Sequence, residues 1–193
     1  MTEHLSKTPY TIRPYAPKDR ERLREICLAT ATPRVYENRA LREWILLMYN
    51  DYYTARESAH CFVAVDERDQ AIGYILCAPD YHRYRRNFLP YLPSIARRSK
   101  RAARRWLLHP GEKAYAGEYP AHLHIDLFPQ AQRKGVGRQL MDTLFSHLQA
   151  MGVPGVMLGC AAENVGANAF YAACGFSRLG KTPDTIYWGK KLL

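Results

Sequence analysis

An α+β fold, one mixed β-sheet covered by helices, is predicted by three features of this 193-residue sequence. Apolar periodicity alternates between that of strands and that of helices, in the order β-α-α-β-β-insert-β-α-β-α-β. At its centre stands a strand, a glycine-containing loop and a helix, His122–Leu144 (HLHIDLFPQAQRKGVGRQLMDTL). No repeat or low-complexity linker divides the chain, and 47% hydrophobic with 24% charged residues suits a globular domain. One domain over residues 1–193 is expected, with an insert at 81–118 ahead of the central strand.

The elements follow from local pattern. Tyr10–Pro14 (YTIRP) is a short first strand, and Ala16-Pro17-Lys18-Asp19 is turn chemistry that leads into a helix. Leu23, Ile26, Cys27 and Thr30 make one face of that helix, and Pro33 is expected to end it. A second helix is expected from Glu37 to about Tyr53, with Leu41, Trp44, Ile45, Met48 and Tyr52 at helical spacing. Cys61–Val65 and Ala71–Ala78 flank a polar turn as a β-hairpin. Ile95–Leu108 (IARRSKRAARRWLL) is expected as a helix with apolar residues against arginine. His122–Leu127 alternates as a half-buried strand, which Pro129 stops because it cannot donate to a ladder. Val136, Leu140, Leu144 and Leu148, four apart, form the buried stripe of the next helix. Val156–Cys160 is a short buried strand and Glu163–Phe176 a helix, with Asn164 as its cap and Gly175 in the left-handed position after its end. Thr185–Leu192 (TIYWGKKL) is the last strand.

The loop Gln132-Arg133-Lys134-Gly135-Val136-Gly137 has the chemistry of an anion site. Backbone N–H groups of a first helical turn have no intrahelical partner, and the helix dipole adds positive potential there. Gly135 and Gly137 remove side chains that would hold a phosphate away, while Arg133, Lys134 and Arg138 add full charges. The spacing is neither that of a P-loop nor that of a dinucleotide fingerprint.

Gln132–Gly137 matches the pattern Gln/Arg-x-x-Gly-x-Gly/Ala, and Asn164, Ala167, Phe170, Tyr171, Gly175 and Phe176 match Asn-x-x-Ala-x-x-Phe-Tyr-x-x-x-Gly-Phe. With these two motifs in this order, the chain resembles the GNAT (GCN5-related N-acetyltransferase) superfamily. The run Tyr119–Leu127 further resembles the bacterial branch related to the acetyltransferase-like domain of O-GlcNAcases. The resemblance implies a mixed sheet of about six to seven strands and acetyl-CoA as donor, its pyrophosphate on Gln132–Gly137. It implies that the backbone of Ile125, Asp126 and Leu127 bonds the pantetheine arm, and that Asn164 contacts the cofactor. Tyr171 matches the tyrosine that protonates the departing CoA thiolate.

The acceptor amine must also lose a proton. His122, His124 and Asp126 alternate along one strand face, which lines a substrate cleft if Leu123 and Ile125 face the core. Asp126 is the first candidate for general base or amine ligand, and His124 the second. Ala121 stands where histone acetyltransferases of the superfamily carry a glutamate, so that base is absent. The expected activity is acetyl-CoA-dependent transfer to a primary amine of a small molecule or of a protein lysine. The alternative is a catalytically weak acyl-CoA-binding or scaffold domain.

The net charge of +10 is concentrated. Residues 81–111 carry nine basic side chains and no Asp or Glu, so the rest of the chain balances to +1. This insert is open to three readings: a solvated cover, a patch that steers an acidic substrate or the cofactor, and a nucleic-acid contact. Cys27, Cys61, Cys77, Cys160 and Cys174 are scattered and include no CxxC pair, which argues against a zinc site or disulfide framework. The first ten residues, MTEHLSKTPY, contain no apolar h-region, and no apolar run approaches membrane-spanning length. A cytoplasmic monomer or homodimer is expected.

Overall fold

The computed structural model describes residues 10–31, 35, 38–108 and 111–193, without the side chain of Arg105. Strand β1 (Thr11–Pro14) lies antiparallel to β2 (Cys61–Val65), with Thr11 opposite Val65. Arg13 anchors it to the turn that follows, its guanidinium donating to the two Asp19 oxygens at 2.7 and 2.8 Å. Helix α1 (Arg20–Ala29) buries Leu23, Ile26 and Cys27. The Thr30 hydroxyl finishes it by donating back to the carbonyls of Ile26 and Cys27.

The expected second helix is three joined pieces. Helix α2 (Arg39–Leu46) is capped by Asn38, whose Oδ1 accepts from Leu41 N at 3.1 Å. A π-turn over Leu47–Asp51 then leads to α3 (Tyr52–Arg56). Such a turn inserts an extra residue and shifts the helical phase, and both Tyr52 and Tyr53 beyond it are fully buried. Pro33 and Glu37, expected as a helix end and a helix start, lie outside the described residues, and so does Tyr36, which the sequence offers with Tyr49, Tyr52 and Tyr53 as a pocket-lining tyrosine.

Strand β3 (Ala71–Ala78) forms the expected hairpin with β2. The insert differs from expectation. Helix α4 (Tyr81–Phe88) starts at Asp80, whose carboxylate accepts from Arg83 N at 2.9 Å. The single helix expected over Ile95–Leu108 is broken at Ser99 into α5 (Leu92–Arg98) and α6 (Lys100–Leu108). Ser99 is extended (φ −155°), and its Oγ accepts from Ala102 N, so this serine is a cap inside an arginine-rich run. A 3₁₀ turn, Gly111–Tyr115, then leads toward β4 (Ala121–Leu127).

Helix α7 (Val136–Ala150) buries Val136, Leu140, Leu144 and Leu148, as their spacing requires. Each contributes about 1.5–3 kcal/mol of apolar burial. Strand β5 (Gly155–Ala161), helix α8 (Val165–Ala173), β6 (Ser177–Lys181) and β7 (Thr185–Lys191) complete the chain. Strand β6 is missing from the sequence-based order, because SRLGK is short, polar and at the sheet edge.

The result is a seven-stranded mixed sheet in the order β1-β2-β3-β4-β5-β7-β6, antiparallel except for β4 beside β5. Leu123, Val156 and Leu158 pack with the apolar stripe of α7 on one face. The other face carries a second apolar layer that includes Leu23, Tyr53, Tyr84, Ile95 and Met157, built with α1 to α6.

Candidate active site

The one parallel pair of the sheet is also its weakest. Strand β4 pairs with β5 only at Ala121↔Val156 and His122↔Met157. Beyond His122, β4 stays bonded to β3 as far as Leu127, while β5 stays bonded to β7 as far as Ala161. The two strands therefore part, and the inner edges of Leu123–Leu127 and Leu158–Ala161 are left without a ladder partner in each other. The gap between them is a cleft of about 820 Å³.

At one end of the cleft lies the start of α7. Gln132 Nε2 donates to Leu127 O at 3.1 Å, closing the loop onto the end of β4. Gly135 caps the helix with φ +82°, a left-handed conformation that glycine adopts without strain. Arg133 has φ +59°, costly for a side chain-bearing residue, so this loop is held in shape by its surroundings. One such restraint is the Tyr10 hydroxyl, which donates to Lys134 O at 3.2 Å. Gln132, Arg133, Gly135, Gly137 and Arg138 line the cleft. The Val136 side chain is in the core, so only its backbone can meet a ligand, and the Lys134 side chain is exposed. A Cβ on Gly137 would stand 3.2 Å from the Phe170 ring, a tight contact, so this glycine lets α7 and α8 approach closely. Arg138 donates to Ala173 O at 2.6 Å, at the C-terminal end of α8, where a cation is favoured.

Helix α8 positions Tyr171. Asn164 caps its start, Oδ1 accepting from Ala167 N at 3.0 Å. At its end Gly175 N bonds to Ala172 O, and Phe176 N to Tyr171 O, the paired bonds of a Schellman motif. Gly175 supplies the left-handed residue, at φ +81°. The Phe176 ring packs edge-on against Tyr171 at 5.9 Å. The motif's glycine and phenylalanine thus fix the tyrosine. Tyr171 and Asn164 both line the cleft. Burial pushes the Tyr171 hydroxyl well above its ordinary value, so it keeps its proton at neutral pH.

His122, His124 and Asp126 share the face of β4 that is turned to α1–α6, while Leu123 is in the α7 layer. The structure brings His124 and Asp126 to the cleft wall. His122 is shut in at 5% exposure among Tyr53, Tyr81 and Tyr84. The Tyr53 hydroxyl bridges the two imidazoles, 2.7 Å from His122 Nε2 and 3.0 Å from His124 Nε2. Burial drives both histidines down, His124 to about 4, so both are neutral at pH 7. One hydroxyl proton serves only one acceptor, so one of the Nε2 atoms is protonated and the other bare. Asp126 accepts from the Tyr74 hydroxyl at 2.5 Å. Burial raises its carboxyl to about 6, against the pull of Tyr74 and Thr30.

Tyr74 is a site residue that sequence reasoning missed. Tyr74 faces Asp126 directly across the β3–β4 ladder, and the insert separates the two strands in sequence, so no local pattern joins them. Tyr53 stands among helical aromatics, which the sequence does not distinguish from core.

A cleft between parting parallel strands, with a glycine-capped helix start at one end and a protonated tyrosine in its wall, matches the arrangement that the resemblance to acetyltransferases implies. The chain belongs to the acetyltransferase (GNAT) family, whose profile matches residues 21–176. Among solved structures it is similar to a protein called SsHAT, with 31% identity and a TM-score of 0.81, covering 95% of this chain and 98% of that one. PH1933 from Pyrococcus horikoshii OT3 shares 18% identity with a TM-score of 0.68 over 94% of this chain and 98% of that one. PaiA N-acetyltransferase from Thermoplasma acidophilum, solved in complex with coenzyme A, shares 15% identity with a TM-score of 0.61 over 94% and 98% of the two chains.

Proposed function

We propose that the protein transfers an acetyl group from acetyl-CoA directly to a primary amine, of a small molecule or a protein lysine. The observation that carries this reading is the parting of β4 from β5 beyond His122, with the cleft opening onto the N-terminus of α7. The residues fit the cofactor: unpaired strand edges suit an amide-bearing arm, and the free N–H groups of α7 beside Arg133 suit a pyrophosphate. Acetyl-CoA supplies the activated acetyl thioester. The backbone of Ile125, Asp126 and Leu127 holds its arm, and Gln132 to Arg138 and Asn164 hold the rest.

Asp126 takes the proton of the acceptor amine, because a carboxyl near 6 is matched to proton uptake close to neutrality. His124, kept neutral and fixed by Tyr53, orients that amine. Tyr171 gives its hydroxyl proton to the departing thiolate. The narrower kinship with the bacterial O-GlcNAcase-related branch is carried by the Tyr119–Leu127 run alone. Calorimetric titration with acetyl-CoA tests the donor assignment. Saturable binding is expected, and Gly135→Glu should abolish it by placing a strained, anionic side chain on the phosphate loop. Binding that survives this substitution would remove the loop from the site.

A further inference from the structure

Ala121 stands at the superfamily glutamate position on β4, but the insert brings a carboxylate of its own to the other face of the sheet. The register Ala121↔Val156, His122↔Met157, continued by two residues, sets His124 level with Gly159 where the strands have begun to part. Both residues line the cleft. Gly159 is exposed, and it lies on the same face of β5 as Met157, the face turned to α1–α6. Directly over it stands Glu112: a Cβ on Gly159 would be 3.3 Å from Glu112 Oε1. The 3₁₀ turn that carries Glu112 is pressed onto β7, since Gly111 packs so closely on the Tyr187 hydroxyl that no side chain fits there.

The Glu112 carboxylate is not held in an ion pair by the described residues. Among the described residues no Lys or Arg nitrogen lies within ion-pair distance of it. Arg85, whose charge reaches it, is committed elsewhere: it donates to Trp106 O at 2.7 Å and stacks 3.4 Å over the Trp106 ring. Burial raises the Glu112 carboxyl, and the Tyr53, Tyr81 and Tyr84 hydroxyls feel its charge. A half-buried carboxylate with no ion pair among the described residues, standing over a glycine of the cleft wall, is a site for a cation.

We propose that Glu112 is the acceptor-binding residue, holding the ammonium of the incoming amine over Gly159, level with His124. The assignment rests on the transferase reading above and adds to it that the acceptor enters protonated, from the insert face of the sheet. Glu112 recognises the charge, and Asp126 removes the proton afterwards.

The test uses two probe amines with acetyl-CoA as donor: n-butylamine, an ammonium at neutral pH, and trifluoroethylamine, already neutral there. In Glu112→Gln, KM for n-butylamine should rise about tenfold to a hundredfold, the worth of one charge-assisted hydrogen bond. The KM for trifluoroethylamine and the affinity for acetyl-CoA should stay within about twofold, and Glu112→Asp, which keeps the charge, should recover part of the n-butylamine loss. Equal KM shifts for both amines, no shift for either, or a fall in kcat with KM unchanged would each overturn the assignment. A wild-type protein that binds no acetyl-CoA, or binds it and acetylates neither amine, would instead sink the transferase reading and take Glu112's role with it.

Discussion

As the proposed base, Asp126 ties one residue's surroundings to an expected rate profile. Its folded carboxyl titrates at about 6 because burial outweighs the Tyr74 hydrogen bond. A base works deprotonated, so kcat should rise with pH through about 6 and level off above it. Asp126→Asn should abolish that limb and lower kcat by about 10²–10⁴-fold. A pH–rate profile unchanged by the substitution would sink the role. Stability should move the other way. A carboxyl raised above its unfolded value favours folding at low pH, and that contribution is lost as pH rises through about 6. At pH 7 the charge is a burden on the fold, so the asparagine variant should melt no lower than wild type by calorimetry.

At the scale of elements, the Schellman end of α8 ties a sequence motif to the tyrosine proposed as proton donor. Gly175→Ala places a Cβ at φ +81°, where it costs about 1–2 kcal/mol. Urea unfolding should show a lower midpoint with an unchanged slope, and kcat should fall because the turn that holds Tyr171 loosens. This helix was legible from sequence because its cap, stripe and left-handed glycine are all local. So was α7, whose leucines repeat every four residues. The insert was not: Ser99 breaks its helix through one hydroxyl, a signal lost among arginines. The donor half of the candidate site was legible for the same reason, since Gln132–Gly137 and Asn164–Phe176 are contiguous. The acceptor half was only partly so. Asp126 and His124 lie on a recognisable strand face, but Tyr53 and Tyr74 meet them between layers and across the sheet, and Glu112 reaches Gly159 from the insert, which no spacing records.

For the whole molecule, the charge and the site occupy different territory. Residues 81–111 hold nine of the basic residues, yet Arg85 and Arg98 are engaged with Trp106 and Glu43, and Arg83 with Glu57. The cleft's own cations, Arg133 and Arg138, come from the neutral remainder of the chain. The sheet that carries both is mechanically two plates, β1–β4 and β5–β7–β6, welded along two residue pairs. A molecule seated in the gap is therefore a brace as well as a reactant, supplying from outside the hydrogen bonds that β4 and β5 do not give each other. Amides of Leu123–Leu127 that point away from β3 should exchange with deuterium quickly in the free protein and slowly with acetyl-CoA present. Acetyl-CoA at a hundred times its Kd should add about 2.7 kcal/mol to stability. Donor turnover would then be a cycle of stiffening and release along that seam, with the free enzyme as its most compliant stage.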